Sequence, residues 1–171
     1  MITRRSLMLS SAVIGAGMFA GVPRLLAQEE EFEVTLTEEE WRERLTPAQF
    51  AILREEATEW PDVPNAPQVG LLGEVSPLND EKRDGIYYCQ GCDLAVYSSE
   101  HKYDSGTGWP SFWQSLDNAI RTKPDFKVGY ERTECHCRRC GGHFGHIFND
   151  GPPPTGERHC LNGLALYFVP A

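Results

Sequence analysis

Hydrophobic and polar positions change period partway along the chain. After Thr46, apolar residues recur at Phe50, Leu53 and Ala57, the spacing of one helix face. Thr37 followed by Glu40 forms a capping box, which predicts a short helix running through Leu45. Thr46 followed by Pro47 repeats the signal, an N-cap residue and then proline at the first helical position. A second helix should therefore open there and stop before Pro61. Residues 61–85 are rich in proline and glycine with little periodicity, which predicts a long surface loop. From Gly85 onward alternation takes over. "GIYYC", "LAVYSS", "FKVGYERTE" and "LALYFV" read as strands separated by Gly- and Pro-rich turns. No internal repeat or heptad is present. The pattern predicts a mainly β chain: two short N-terminal helices, then an antiparallel β-domain.

The first 27 residues do not fit this pattern. They begin with a charged stretch, continue in an apolar run from Leu7 to Val22, and end with Pro23 and a small residue, Ala27. That is the layout of a secretory signal. Arg4 and Arg5 after Thr3 make it a twin-arginine signal, an address for export of folded cargo, so a periplasmic location is expected. An uncleaved anchor is the alternative, but the apolar stretch is short and rich in Gly and Ser. Residues 28–36 form an acidic tail expected to be loose, and residues 37–171 form the domain. Length changes the picture little, because 171 residues suit one domain with one core. Charge changes it more. The whole chain carries −9; three of its arginines and none of its acids lie in residues 1–27, so the remainder carries −12. Such a surface repels nucleic acid and anionic membrane, and neither is expected as a partner.

Four of the six cysteines pair by spacing. Cys89 and Cys92, and Cys137 and Cys140, are two CxxC knuckles, each placed in a turn after a strand. Two intervening residues let a tight turn aim both sulfurs at one tetrahedral ion. The knuckles are 44 residues apart, so one zinc would clip distant strands together and contribute folding free energy. Four thiolates close the coordination shell, which makes such a zinc structural. Disulfides or a redox CxxC are the alternative for exported cysteines. Small and basic residues within the knuckles, and a signal for cargo folded in the cytosol, favour the metal.

Cys135 and Cys160 remain. Cys160 lies in "GERHCLNG", two residues after Arg158 and two before Asn162. Arg158 can lower the thiol pKa, and a nearby histidine can exchange a proton at neutral pH. His143 and His146 stand three apart on what reads as a turn scaffold. Trp109 and Trp113 lie in a Gly/Pro loop, where Trp109 follows Gly106-Thr107-Gly108 as a ring presented to a ligand. Each residue also has a plain reading: a buried cysteine as packing, the histidines as hydrogen-bonded structural groups, Asp150-Gly151-Pro152 as a turn.

Taken together, "LTPAQFAILREEATEWP", "CQGC", "SGTGWPSFW" and "CRRCGGHFGHIFNDGPPPTGERHCLNG" resemble the B-type methionine sulfoxide reductases, from about Trp41 to Phe168. The resemblance implies two packed antiparallel sheets with helices at the N-terminal side, and reduction of methionine-R-sulfoxide in oxidised peptides and proteins. It implies Cys160 as the nucleophile, left as a sulfenic acid. By the same resemblance His146 is the acid with His143 as its partner, Asn162 orients the network, and Asp150 with Arg158 activates the thiol. Trp109 receives the substrate methyl, and the four knuckle cysteines hold zinc. A thioredoxin-like thiol reductant is the implied partner, acting on a monomer.

Several positions depart from that pattern. Thr107 stands where many members carry a resolving cysteine, His159 where an aromatic is common, and Gly163 where serine is common; the loop from Pro61 to Val75 looks long. Cys135 is then either a resolver or a spare apolar residue, and the spare role is favoured by its place beside the knuckle. Two other functions stay open on residues alone: a zinc-ribbon binding module without chemistry, and a cysteine hydrolase built on Cys160 with a histidine.

Overall fold

Two capped helices begin the described structure. In α1 (Glu38–Arg44) the Thr37 hydroxyl accepts from Glu40 N at 3.2 Å and Thr37 N donates to Glu40 at 2.7 Å. In α2 (Pro47–Glu55) Thr46 and Gln49 make the same reciprocal pair, with Pro47 in the first turn. Each cap stabilises its helix by about 1 kcal/mol. α2 ends well before Pro61, at Glu56 in the left-handed conformation (φ 56°), so Ala57 lies outside the helix. A computed structural model describes residues 31–63 and 73–171, and the fold is that of the unit Glu31–Ala171. Residues 1–27, where a signal is expected, and the centre of the 61–75 loop lie outside the described residues. Among the described residues no helix is long and apolar enough to cross a membrane.

Among the described residues, nine strands form two antiparallel sheets. β1 (Gly85–Cys89), β2 (Ala95–Ser98) and β9 (Leu166–Pro170) make one, in the order β2-β1-β9. The other contains β3 (Lys102–Tyr103), β4 (Ser111–Phe112), β5 (Ile120–Asp125), β6 (Arg132–Cys137), β7 (His143–Phe148) and β8 (Arg158–Leu161). Its order is β3-β4-β8-β7-β6-β5. The sheets meet through fully buried aromatics. Phe112 lies 5.0 Å from Tyr87 edge-on and 4.6 Å from Tyr97, ring centre to ring centre. Such pairs add about 0.5–1.5 kcal/mol each beyond the area they bury.

Two expectations are corrected. "FKVGYERTE" is not one strand: β5 ends at Asp125, residues 126–131 turn, and β6 starts at Arg132. The turn is closed by Gly129 N donating to Phe126 O at 3.0 Å, with Gly129 at φ 87°. Residues 31–36 are not loose either. Val34 N donates to Arg139 O, Glu33 pairs with Arg138, and Phe32 meets the His136 ring edge-on.

β7 and β8 approach too closely for any side chain at Gly145, where a Cβ would lie 2.1 Å from Cys160 O. Gly145→Ala is therefore expected to cost at least about 2 kcal/mol of stability, as overpacking does. Urea unfolding at equilibrium checks this; an unchanged midpoint would contradict the close approach.

Candidate active site

Register decides which residues meet. Cys160 on β8 pairs with His146 on β7, and His146 pairs with Glu134 on β6. These three side chains share one face of the six-stranded sheet, because neighbours across strands point the same way. His143 belongs on the opposite face by simple alternation, three residues from His146. A bulge changes that. Cys135 pairs with Gly145, but His136 pairs with His143, so Phe144 is an extra residue in β7. The bulge brings His143 to the His146 side, with ring centres 5.4 Å apart. The two histidines therefore lie on a bulged strand rather than on a turn.

Each histidine has its own carboxylate, and neither carboxylate was anticipated from the sequence. His146 Nε2 lies 2.8 Å from Asp125 Oδ2. Burial would raise the Asp125 carboxyl, but the Lys127 N–H, His146 and Arg132 hold it well below the usual range. An ionised carboxylate only accepts, so Nε2 carries the hydrogen and Nδ1 keeps its lone pair. Burial pushes the His146 pKa down while Asp125 opposes it. Buried His143 Nδ1 lies 3.0 Å from Glu134 Oε1, and Lys123 Nζ lies 3.2 Å from Oε2 of the same carboxylate.

Cys160 sits at the floor of a cleft of about 130 Å³ lined by Trp109, Arg132, His146, Phe148 and Asn162. A larger cleft of about 280 Å³ between Asn79–Asp84 and Lys102–Asp104 is lined by charges and has no cysteine or paired histidine, so size alone does not mark the site. The Cys160 thiol feels Arg158 as expected, against a larger opposing effect. Burial raises its pKa, and Arg158 and Thr107 only partly offset this. Arg158 is held by Asp150 through bonds of 2.8 and 2.9 Å, and the Asp150 anion itself works against the thiolate.

Asn162 is anchored through both ends of its amide. Its Oδ1 accepts from Glu59 N at 2.9 Å and its Nδ2 donates to Phe144 O at 3.0 Å. It thereby pins Phe144, the bulge residue that sets where His143 points. Glu59, absent from the sequence reading, organises this side of the cleft. Its backbone O accepts from Trp109 Nε1 at 3.1 Å, and its carboxylate accepts from Gly163 N at 2.6 Å and Leu164 N at 2.9 Å. Burial pushes that carboxyl up to about 7 against those N–H groups. Gly163 replaces the usual serine because Ser76 occupies the space, 2.4 Å from where a Cβ would be.

Thr107 Oγ1 lies 4.0 Å from Cys160 Sγ and is bonded to Ser105 at 2.8 Å. Cys135 is on the other face. It pairs with Gly145 and so shares a side with Leu161, the residue after Cys160, and it is fully buried with a raised pKa. The sheet itself separates the two thiols. His159 is also core-facing: Tyr97 OH lies 3.0 Å from its Nδ1, so it serves as a buried polar substitute for an aromatic ring.

The knuckle sulfurs converge where β1 and β6 end. The four thiols lie within 4.8 Å of one another, with Cys89 and Cys140 at 3.7 Å and Cys92 and Cys137 at 3.5 Å. A zinc tetrahedron with bonds near 2.3 Å has edges of about 3.8 Å, so the donor set fits that ion. All four cysteines are unbonded to one another, which excludes the disulfide reading of these knuckles in this structure.

A SelR domain matches residues 45–170. A peptide methionine sulfoxide reductase MsrB from Leptospira interrogans is 42% identical over 138 residues, covering 80% of this chain and 96% of that protein. One from Thioalkalivibrio sulfidiphilus is 44% identical over 137 residues, 80% of this chain and 91% of that protein. The chloroplastic peptide methionine sulfoxide reductase B1 of Arabidopsis thaliana is 39% identical over 164 residues, 95% of this chain and 75% of that protein.

The ion pair beside Cys160 makes opposite predictions for its two members. Arg158→Ala should move the pH inflection of Cys160 alkylation upward, and Asp150→Ala should move it downward, because the anion opposes thiolate formation. Iodoacetamide labelling of the Cys160 peptide across pH measures both; shifts in the same direction would contradict the arrangement.

Proposed function

The chain belongs to the SelR-domain family of peptide methionine sulfoxide reductases, and on that premise we propose how its own residues reduce methionine-R-sulfoxide. The observation that carries the reading is the cross-strand pair of Cys160 and His146 at the cleft floor, with Asp125 behind the imidazole. The sulfoxide side chain enters between Trp109 and Phe148, where a sulfur-bound methyl packs well on an aromatic face. Cys160 attacks the sulfoxide sulfur. His146 Nδ1 takes the thiol proton, Asp125 stabilises the imidazolium, and the proton passes to the sulfoxide oxygen. The attack forms a bond from Sγ to the methionine sulfur. As oxygen passes to Cys160, that bond and the one from oxygen to the methionine sulfur both break, and the bond from oxygen to Sγ forms. Methionine is reduced by two electrons and Cys160 is oxidised to a sulfenic acid. Two external thiols then return Cys160 to the thiol, releasing water and a disulfide.

His143 and Glu134 hold the bulge side of this pair, and Arg158 with Asp150 sets how readily the thiol ionises. The threonine at position 107 and the sheet between Cys135 and Cys160 support direct reduction by an outside thiol, with a thioredoxin-like protein as the donor. Cys89, Cys92, Cys137 and Cys140 would hold one zinc, which ties β1 to β6 and adds no chemistry. The site is complete within one chain, which supports a monomer. Arg4, Arg5 and the apolar run after them support twin-arginine export to the periplasm, checked by fractionation of the full chain against an Arg4→Lys/Arg5→Lys form.

With dithiothreitol as reductant, the protein should consume only the R epimer of a methionine sulfoxide peptide, and Cys160→Ser should abolish this. Loss of the S epimer, or activity surviving in Cys160→Ser, would overturn the assignment. Elemental analysis should find one zinc per chain, lost in Cys137→Ser together with a fall in Tm; a metal-free wild type with unchanged Tm would remove the zinc.

A further inference from the structure

One group of apolar side chains is left outside both the core and the cleft. Among the described residues the exposed large hydrophobics are Val75, Phe126, Val128, Tyr130 and Val169. Val75 and Val169 stand alone, which is ordinary for a surface. Phe126, Val128 and Tyr130 crowd into the β5–β6 turn and are 62%, 50% and 64% exposed. Three such residues on one turn form a patch of the kind that marks an interaction site.

The turn is fastened to the reaction centre. Lys127 N donates to Asp125 Oδ1 at 2.8 Å, and Arg132 Nη2 meets Asp125 Oδ2 at 2.5 Å. The same Asp125 oxygen faces His146, and Arg132 lines the cleft. The turn therefore begins on the carboxylate that holds His146 and ends on Arg132 of the cleft wall. Asp125 pairs with Arg132, two residues along β6 from Glu134, which stands in the row of Cys160 and His146. With strands about 4.8 Å apart and about 3.4 Å per residue, the patch lies roughly 15 Å from Cys160. About five residues of extended chain cover that distance.

We propose that the 126–130 turn docks the substrate polypeptide itself, gripping an apolar stretch a few residues away from the oxidised methionine while the sulfoxide occupies the cleft. This rests on the reductase reading above and deepens it by naming the preferred substrate class: extended, apolar segments exposed by unfolding. The occupant follows from continuity. A peptide whose side chain reaches Cys160 has to leave the cleft along its rim, and at the Asp125–Arg132 rim the next surface is this patch. Methionine in a folded protein sits among apolar neighbours, so a chain that exposes its sulfoxide exposes apolar flanks with it.

The test uses the full zinc-loaded chain and its Phe126→Ser/Val128→Ser/Tyr130→Ser form, with dithiothreitol and, in parallel, a thioredoxin as reductant. Three R-sulfoxide substrates are compared: N-acetylmethionine sulfoxide, a peptide with leucine and phenylalanine on both flanks, and the same peptide with serine flanks. The triple variant should keep its rate on N-acetylmethionine sulfoxide. On the apolar-flanked peptide it should lose about tenfold in kcat/KM, through KM, falling to the level of the serine-flanked peptide. An unchanged rate on the apolar-flanked peptide would overturn the proposal. So would an equal fall on all three substrates, which would make the turn part of the site's scaffold, or a fall confined to assays driven by a thioredoxin, which would make it a reductant surface. Failure of the unaltered chain to reduce any of the three would instead remove the reductase reading, and the docking proposal with it.

Discussion

The site depends on how tightly β7 lies against β8. At Gly145 the two backbones leave no room for a Cβ beside the Cys160 carbonyl. That contact fixes the register in which His146 faces Cys160. One residue further toward the strand start, the bulge at Phe144 brings His143 to the same face, and Asn162 holds the bulge by its carbonyl. Without the bulge, His143 would point toward the opposite side. A one-residue slip of β8 would place Cys160 in the core and His159 in the cleft, since alternation in a strand has period two. The chemistry is thus a consequence of backbone geometry that a handful of residues enforce.

The remainder of the chain braces that contact from both ends. The knuckles gather the ends of β1 and β6, and residues 32–34 close over the second knuckle through Arg138 and Arg139. Arg54 of α2 donates to Cys140 O at 2.9 Å, which docks the helix on the same knuckle. From α2 the chain runs to Glu59, whose backbone and carboxylate together hold Trp109, Asn162 and the turn after β8. A continuous set of contacts therefore joins the cysteine cluster to the cleft. It gives Glu59 and the knuckles influence over a reaction in which they take no direct part.

Local signals in the sequence were legible where the physics is local. Both helix starts are written in Thr37-x-x-Glu40 and Thr46-Pro47, and both cysteine pairs in their spacing, because a cap or a knuckle is completed within four residues. The motif around Cys160 pointed to the family. Partnerships across strands were not legible. Alternation runs on through Phe126, Val128 and Tyr130 into β6, which hid the turn and with it Asp125 and Arg132. Nothing near Glu59 in sequence announces that it will meet residues 109, 162 and 163. Arg158 lowers the Cys160 pKa as its place in sequence suggests, but the larger upward effect of burial and the competing Asp150 emerge only on folding.

The central claim is that oxygen passes from the sulfoxide to Cys160 and stays there until an outside thiol arrives. Intact-protein mass spectrometry after one equivalent of methionine-R-sulfoxide peptide, without reductant and with dimedone as trap, tests it directly. The account predicts one dimedone adduct, located on Cys160, and a free Cys135. A disulfide between Cys135 and Cys160, or an unmodified chain beside reduced peptide, would contradict it.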